Sequence, residues 1–183
     1  MAEYYLVSQL PSLDGISEST PLPISSERFE ELCLRFLSKK AQSETKKLSI
    51  SPSRISEKAS ALIENWNKGE RDLRLALAKL RAEKLNKNFD TDVQSFSPML
   101  LQAVRTAVEI ENPMEAETFL NKYRLGFLET LRPMDSFSEE FVFYYGLKLK
   151  LLERMRKFDQ ESGKAAYRNI YDSIMNNDKT EVI

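Results

Sequence analysis

Apolar residues recur along this chain at the spacing of helices. Between Asn112 and Gly163 the pattern predicts two long amphipathic helices joined by a short turn. In the first, Ala116, Phe119, Leu120, Tyr123, Phe127 and Leu131 form one stripe at helical period. Asn112 is placed to cap it, Pro113 occupies its first position, and Glu115 sits where a capping-box carboxylate belongs. Arg132-Pro133 stops it, because a residue before proline is pushed out of the α region. Ser136 with Glu139 predicts a second capping box. The helix that follows presents Phe141, Tyr144, Tyr145, Leu151, Leu152, Met155 and Phe158, widened by Val142, Leu147 and Leu149. So wide an apolar face predicts burial against several neighbours. Lys148, Lys150, Arg154, Arg156 and Lys157 on the same helix must then snorkel, face water or meet a partner.

The rest of the chain yields shorter predictions. Residues 3–10 are too few to separate helix from strand by period, and the expectation leans to helix, ended by Pro11. Prolines and serines predict an irregular loop over 11–25. Ser25 or Ser26 caps a helix with Phe29, Leu32, Cys33, Phe36 and Leu37 on one face, ending near Ser38. The polar, basic run 39–52 reads as a flexible linker, or alternatively a basic docking arm. Ser53 is expected to cap a helix carrying Ile55, Ala59, Leu62, Ile63 and Trp66, with Gly69 as a break or kink before a second helix over 70–88. Ser97 and Pro98 start a further helix along Leu101, Val104 and Val108, after a loop over 88–97. A last one runs from Lys164 to about Met175 with Tyr167, Ile170, Tyr171 and Ile174 at helical spacing. The fold class is therefore all-α: a multi-helix bundle of antiparallel hairpins with about six helices and no strand. In this reading, 1–38 is an N-terminal segment and helix, 39–52 the linker, and 53–183 the bundle, forming one domain with 1–38.

Composition narrows the chemistry. The chain has 183 residues, 42% of them hydrophobic, which suffices for a core without staples. It contains no histidine, which removes Ser-His-Asp and Cys-His nucleophilic sites and histidine metal sites. Its five glycines are dispersed, so no phosphate-cradling loop is present. The single cysteine, Cys33, excludes an intrachain disulfide and reads as a buried small hydrophobe. Glu111 and Glu115 flank a helix start and read as capping and dipole compensation, with an all-carboxylate metal site as the rival. The Phe141–Tyr145 aromatics read as core, with a ligand pocket as the rival. Tyr4 and Tyr5 suit either a partner or the chain's own helices. No enzyme, cofactor or metal is expected.

Charge adds one feature. Net charge is −1, so no global field draws the chain to nucleic acid or anionic lipid. Helix 70–88 nevertheless has a basic outer surface, in which Arg71, Arg74, Lys79, Arg81, Lys84 and Lys87 outnumber the acids. Nucleic acid is the rival reading, but Lys and Arg are good helix formers and no aromatics interleave with them for base stacking. The apolar run at 4–10 is too short for a signal peptide and no cationic stretch precedes it, so a cytoplasmic location is expected.

Five stretches carry a resemblance. They are YYLVSQLPSL at 4–13, ISSERFEELC at 24–33, LRLALAKLRAEKL at 73–85, NPMEAETFLNKYRLGFLETL at 112–131 and FYYGLKLKLLERMRKFDQESGKAAYRNIY at 143–171. In this order they resemble a bacterial family of unknown-function proteins encoded beside V/A-type ATPase genes. That family is similar to the ATPase subunit called C in archaea and bacteria, or d in eukaryotes. The resemblance implies a non-catalytic, all-α protein working where the central rotor stalk meets the membrane ring. Its partners would be stalk and ring subunits, and it would lie at the cytoplasmic face of the membrane, peripheral to it through those partners. The basic side of helix 70–88 and the charged side of helix 139–158 would be the contact surfaces, with Arg71, Arg74, Arg81, Lys84, Lys148 and Arg154 as the candidate partner-interface residues. The C-type subunit holds several helical modules, more than this chain has room for. A reduced version, or an assembly or regulatory factor for the same enzyme, is what such a length implies. A free-standing helical interaction scaffold is the alternative.

Overall fold

The last long amphipathic helix becomes the axis of the structure. In a computed structural model, which describes residues 2–16, 20–51, 60–89, 96–157, 163–165 and 167–171, it spans Glu139–Lys157 and is here α7. Every residue from Val142 to Leu149 is buried, as are Leu151 and Leu152. A helix buried on all sides needs neighbours on all sides. They are α2 (Ser26–Phe36), α3 (Lys39–Lys46), α4 (Ala61–Lys84) and α6 (Pro113–Thr130). The short α1 (Ala2–Gln9) packs on α2 and buries Leu6 completely, while α5 (Pro98–Glu109) packs on α4 and α6. With the stretch at 163–165 and 167–171, the described residues hold eight helical stretches and no strand, two more than the pattern predicts.

Two hydrophobic cores result. The first gathers Leu6, Phe29, Leu32, Leu48, Ile63, Trp66, Leu128 and the buried face of α7, so the N-terminal segment shares a core with the rest. The second lies among Leu73, Ala76, Leu77, Leu100, Val104, Ala107 and Leu120, where the later half of α4 meets α5 and the first half of α6. The helices α4 and α6 belong to both.

Local signals act largely as the sequence dictates. Ser25 Oγ accepts from Arg28 N, Ser97 Oγ from Leu100 N, and Asn112 Oδ1 from Met114 N. Glu115 accepts from the Asn112 side chain, Nδ2 to Oε1 at 3.0 Å, so the expected capping box closes through side chains. At α7 the cap is Ser138 and not Ser136: Ser138 Oγ accepts from Phe141 N at 3.2 Å. Asp135 displaces the predicted box by taking Phe137 N onto Oδ1 at 2.9 Å, which winds the connection one turn further before the helix begins.

Two larger departures concern the expected linker and the expected break. Residues 39–46 are helix, not a flexible linker: Ser38 Oγ caps α3 by accepting from Ala41 N, and Ala41, Glu44 and Thr45 are buried. Two small residues on one face suffice to bury an eight-residue helix against α2 and α7, a signal that bulk composition averages away. The chain beyond it is held too: Lys150 Nζ donates to Leu48 O at 2.9 Å and Trp66 Nε1 to Ser49 O at 3.1 Å. Gly69 does not break the helix, since α4 continues through it. A Cβ there would lie 2.3 Å from Phe127 Cε1, so the glycine lets α6 approach α4 closely. The expected cap at Ser53 and the positions Ile55, Ala59, Phe158, Ile174 and Met175 lie outside the described residues. The described part of this helix starts at Ala61 with Ser60 as its cap, and the Glu44 carboxylate accepts from Ser60 N at 3.1 Å.

Candidate interaction surface

The basic face of α4 divides when its side chains are followed. Arg71 and Arg81 are exposed. Arg74 is exposed as well, and it donates from Nε to Glu70 Oε1 at 2.9 Å. Lys84, in the last turn, donates from Nζ to Val108 O at 2.6 Å, pinning the end of α4 to α5. A cation at a helix C-terminus is favourably placed against its unsatisfied carbonyls. Here α4, the end of α5 and the start of α6 leave a groove of about 390 Å³. Two cations, Arg81 and Lys84, and two carboxylates, Glu111 and Glu117, line it, and Leu85, Val108, Ile110 and Leu120 are among its apolar lining. Leu85, which lines the groove, is 67% exposed.

Lys148 and Arg154 lie elsewhere, in ion pairs within the fold. The Lys148 ammonium reaches Asp14 Oδ1 at 2.6 Å and Glu129 Oε1 at 2.7 Å. Burial disfavours its charge, but hydrogen bonds to the two carboxylates outweigh that cost and raise its pKa above the ordinary value. The Lys148 hydrogen bond in turn holds Asp14 below the usual carboxylate range. Tyr144, against the same ammonium, is pushed up to about 12, first by burial and next by its hydrogen bond to Glu129. Burial alone raises Tyr145, whose hydroxyl donates to Pro11 O at 2.8 Å. Between the 10–14 segment and α7 these groups enclose a cavity of about 180 Å³. Its charges are already matched within the chain, and its effect is to strap the N-terminal segment to the central helix. Cys33 is buried, and its thiol is pushed up to about 12, chiefly by burial, which keeps it neutral and unreactive.

Arg154 belongs to a network that sequence reasoning missed. Arg124, with a side chain 6% exposed, donates from Nε to Glu70 Oε2 at 3.0 Å and from Nη2 to Glu70 Oε1 at 3.2 Å. Its Nη1 donates to Glu117 Oε1 at 3.1 Å and to Asn121 Oδ1 at 3.0 Å. Arg154 Nη2 donates to the same Glu117 oxygen at 2.6 Å. The network joins α4, α6 and α7 at the seam between the two cores, and Glu117 also lines the groove. One signal was available: Glu117, Asn121 and Arg124 share a helix face with Leu128 at i, i+4, i+7 and i+11, so polar residues interrupt a buried stripe. The partner Glu70 is 54 residues away and had no local mark.

The six cationic residues thus do not share one surface. The structure brings Arg81 and Lys84 to a groove, leaves Arg71 on the outer face of α4, and engages Arg74, Lys148 and Arg154 in ion pairs. Among the described residues, no group of His, Cys, Asp and Glu side chains is placed to hold a metal, and no helix is long and apolar enough to cross a membrane.

The model of a family described as "Protein of unknown function (DUF2764)" matches residues 95–178, a little under half of the chain. That span takes in α5, α6, α7 and the last helical stretch, and its description assigns neither activity nor partner. No curated protein and no solved structure matches this chain.

Proposed function

We propose that this protein is a non-catalytic interaction protein that docks a partly apolar partner segment in the α4–α5–α6 groove, as a subunit or accessory protein of a V/A-type rotary ATPase. The observation that carries the docking part is the groove itself, with Arg81, Lys84, Glu111 and Glu117 beside Leu85, Val108, Ile110 and Leu120. Apolar floors with charged rims suit a helix laid in a groove: the floor supplies affinity, and the rim supplies orientation and association rate. The rotary-ATPase part rests on the ordered motif resemblance at 4–13, 24–33, 73–85, 112–131 and 143–171. On this reading the protein works at the cytoplasmic face, held there by stalk or ring subunits, and transmits force or supports assembly through a body stiffened by the buried Glu70–Arg124 network.

The test is co-purification. The tagged protein is recovered from its own cells after gentle solubilisation, alongside an Arg81→Glu/Lys84→Glu variant whose helicity is checked by circular dichroism. The expected result is near-stoichiometric recovery of stalk or ring subunits with the natural protein and a loss of at least ~10-fold with the variant, equivalent to about 1.4 kcal/mol. An intact ATPase absent from the recovered material overturns the rotary-ATPase reading and leaves the alternative of a free-standing scaffold. Undiminished recovery with the variant overturns the groove as the contact.

A further inference from the structure

The cavity of about 180 Å³ between the 10–14 segment and α7 has walls of two kinds. Val7, Leu10, Leu13 and Phe141 make it apolar, together with the rings of Tyr144 and Tyr145. Asp14 and Arg132 are the charged residues of its lining that reach solvent, with side chains 56% and 42% exposed, so they mark its mouth. A cavity of roughly 150 Å³ lined by aliphatic and aromatic side chains admits a benzene ring. This one has room for such a ring and a small substituent. An apolar space with a few converging polar groups is the form that small-molecule sites take.

The polar groups decide which ring fits. Lys148 is saturated: its ammonium reaches Asp14 Oδ1 at 2.6 Å and Glu129 Oε1 at 2.7 Å, and lies 3.4 Å from the Tyr144 hydroxyl. A carboxylate entering the cavity would compete with Asp14 for Lys148, and an ammonium would compete with Lys148 for Asp14. Either exchange strands a charge that the chain now pairs, which costs more than the new contact returns. The matched charges therefore select an uncharged ligand. Arg132 is the unsaturated member of the lining. Its Nη1 stands 3.5 Å from Asp14 Oδ2, longer than a good hydrogen bond, and its guanidinium lies over the Tyr144 ring at 5.8 Å. Donors of that planar fork are left for a neutral oxygen. The Tyr145 hydroxyl, by contrast, spends its proton on Pro11 O at 2.8 Å.

We propose that this cavity binds a small uncharged molecule, a single ring carrying one hydroxyl, with the ring among Leu10, Leu13 and Phe141 and the oxygen accepting from Arg132. The site stands apart from the α4–α5–α6 groove. Its occupant touches both the 10–14 segment and α7, so it also fastens the N-terminal segment to the central helix. A ligand that binds only the fastened form slows opening of that segment by the factor 1 + [L]/Kd.

The test is a titration of the full chain with four compounds of one skeleton: benzyl alcohol, toluene, benzoate and benzylammonium. The methyl resonances of Val7, Leu10 and Leu13 report the cavity. The expected result is saturable shifts confined to these methyls with benzyl alcohol, bound at least ~10-fold more tightly than benzoate or benzylammonium. At a free concentration of about ten times its Kd, amide exchange in the second half of α1 slows about 10-fold while that of α5 is unchanged. Leu10→Trp, which fills the space, is expected to abolish binding, with helicity checked by circular dichroism. Arg132→Leu, at an exposed position, is expected to bring benzyl alcohol down to the affinity of toluene and to leave toluene unaffected, a difference that a loss of folding does not produce. Absence of saturable shifts with benzyl alcohol and toluene overturns the proposal and leaves a cavity that holds water only. Benzoate or benzylammonium bound as tightly as benzyl alcohol overturns it too, as does binding that survives Leu10→Trp.

Discussion

Replacing Arg124 by methionine removes four hydrogen bonds from a side chain only 6% exposed, while keeping most of its apolar stem. The Glu70 carboxylate, 1% exposed, then keeps Arg74 alone, and that guanidinium is 44% exposed. Removing one partner of a buried ion pair costs about 3–5 kcal/mol, because the remaining charge is left without compensation. The surviving Arg74 contact places this change at the lower end, about 3 kcal/mol. For a chain of this size that corresponds to a fall in Tm of roughly 6–12 °C. Glu117 keeps Arg154 at 2.6 Å, whereas the buried Asn121 Oδ1 loses the Arg124 donor. The double change Glu70→Leu/Arg124→Met also removes the stranded charge and is expected to return stability to within about 1 kcal/mol of the natural protein, since apolar replacements of buried pairs are often neutral. The assay is urea unfolding followed both by Trp66 fluorescence and by helicity. Trp66 reports the first core, and the pair lies at the seam with the second. A single change costing under about 1 kcal/mol, or a double change as damaging as the sum of its parts, would refute the claim that Glu70 depends on Arg124.

Two further predictions concern close approach and pH. Gly69→Ala is expected to destabilise by about 1–3 kcal/mol despite alanine's better helix propensity, because its Cβ would meet the Phe127 ring. Gly126→Ala, within α6 and with nothing within 4 Å, is expected to stabilise by roughly 0.5–1 kcal/mol, and thermal melts of the pair should move in opposite directions. The folded-state pKa values of Lys148, Tyr144 and Tyr145 are all raised above ordinary values of 10.5, 10.0 and 10.0. Their stabilisation is complete below those values and is lost as pH rises through the folded ones, so urea stability should fall steadily above about pH 10. Asp14 acts in the opposite sense: its lowered pKa gives stabilisation that is present above 3.8 and lost as pH falls through the folded value. Stability indifferent to alkali up to pH 12, or an unchanged alkaline slope in Lys148→Met, would show that these groups do not face the environment described.

The sequence by itself determined what lies within one or two helical turns. Asn112, Pro113, Ser25 and Ser97 mark helix starts because a cap needs only the next three residues. The breadth of apolar positions from Val142 to Leu152 foretold a helix surrounded by others, since no solvated helix tolerates so wide an apolar face. Tertiary structure decided the rest, because the relevant partners are far away along the chain. Whether 39–46 orders depends on α2 and α7, against which Ala41 and Thr45 are buried. Whether Gly69 ends a helix depends on Phe127, which turns a weak helix former into the point of closest approach. The cations separate by the same logic: Arg81 and Lys84 reach a groove, while Lys148 meets Asp14 134 residues away and Arg124 meets Glu70 54 residues away. Residue type and period cannot distinguish a solvated cation from one facing a buried carboxylate, because both sit on a helix with the same propensity. Only the helix packed opposite sets the dielectric and supplies the countercharge.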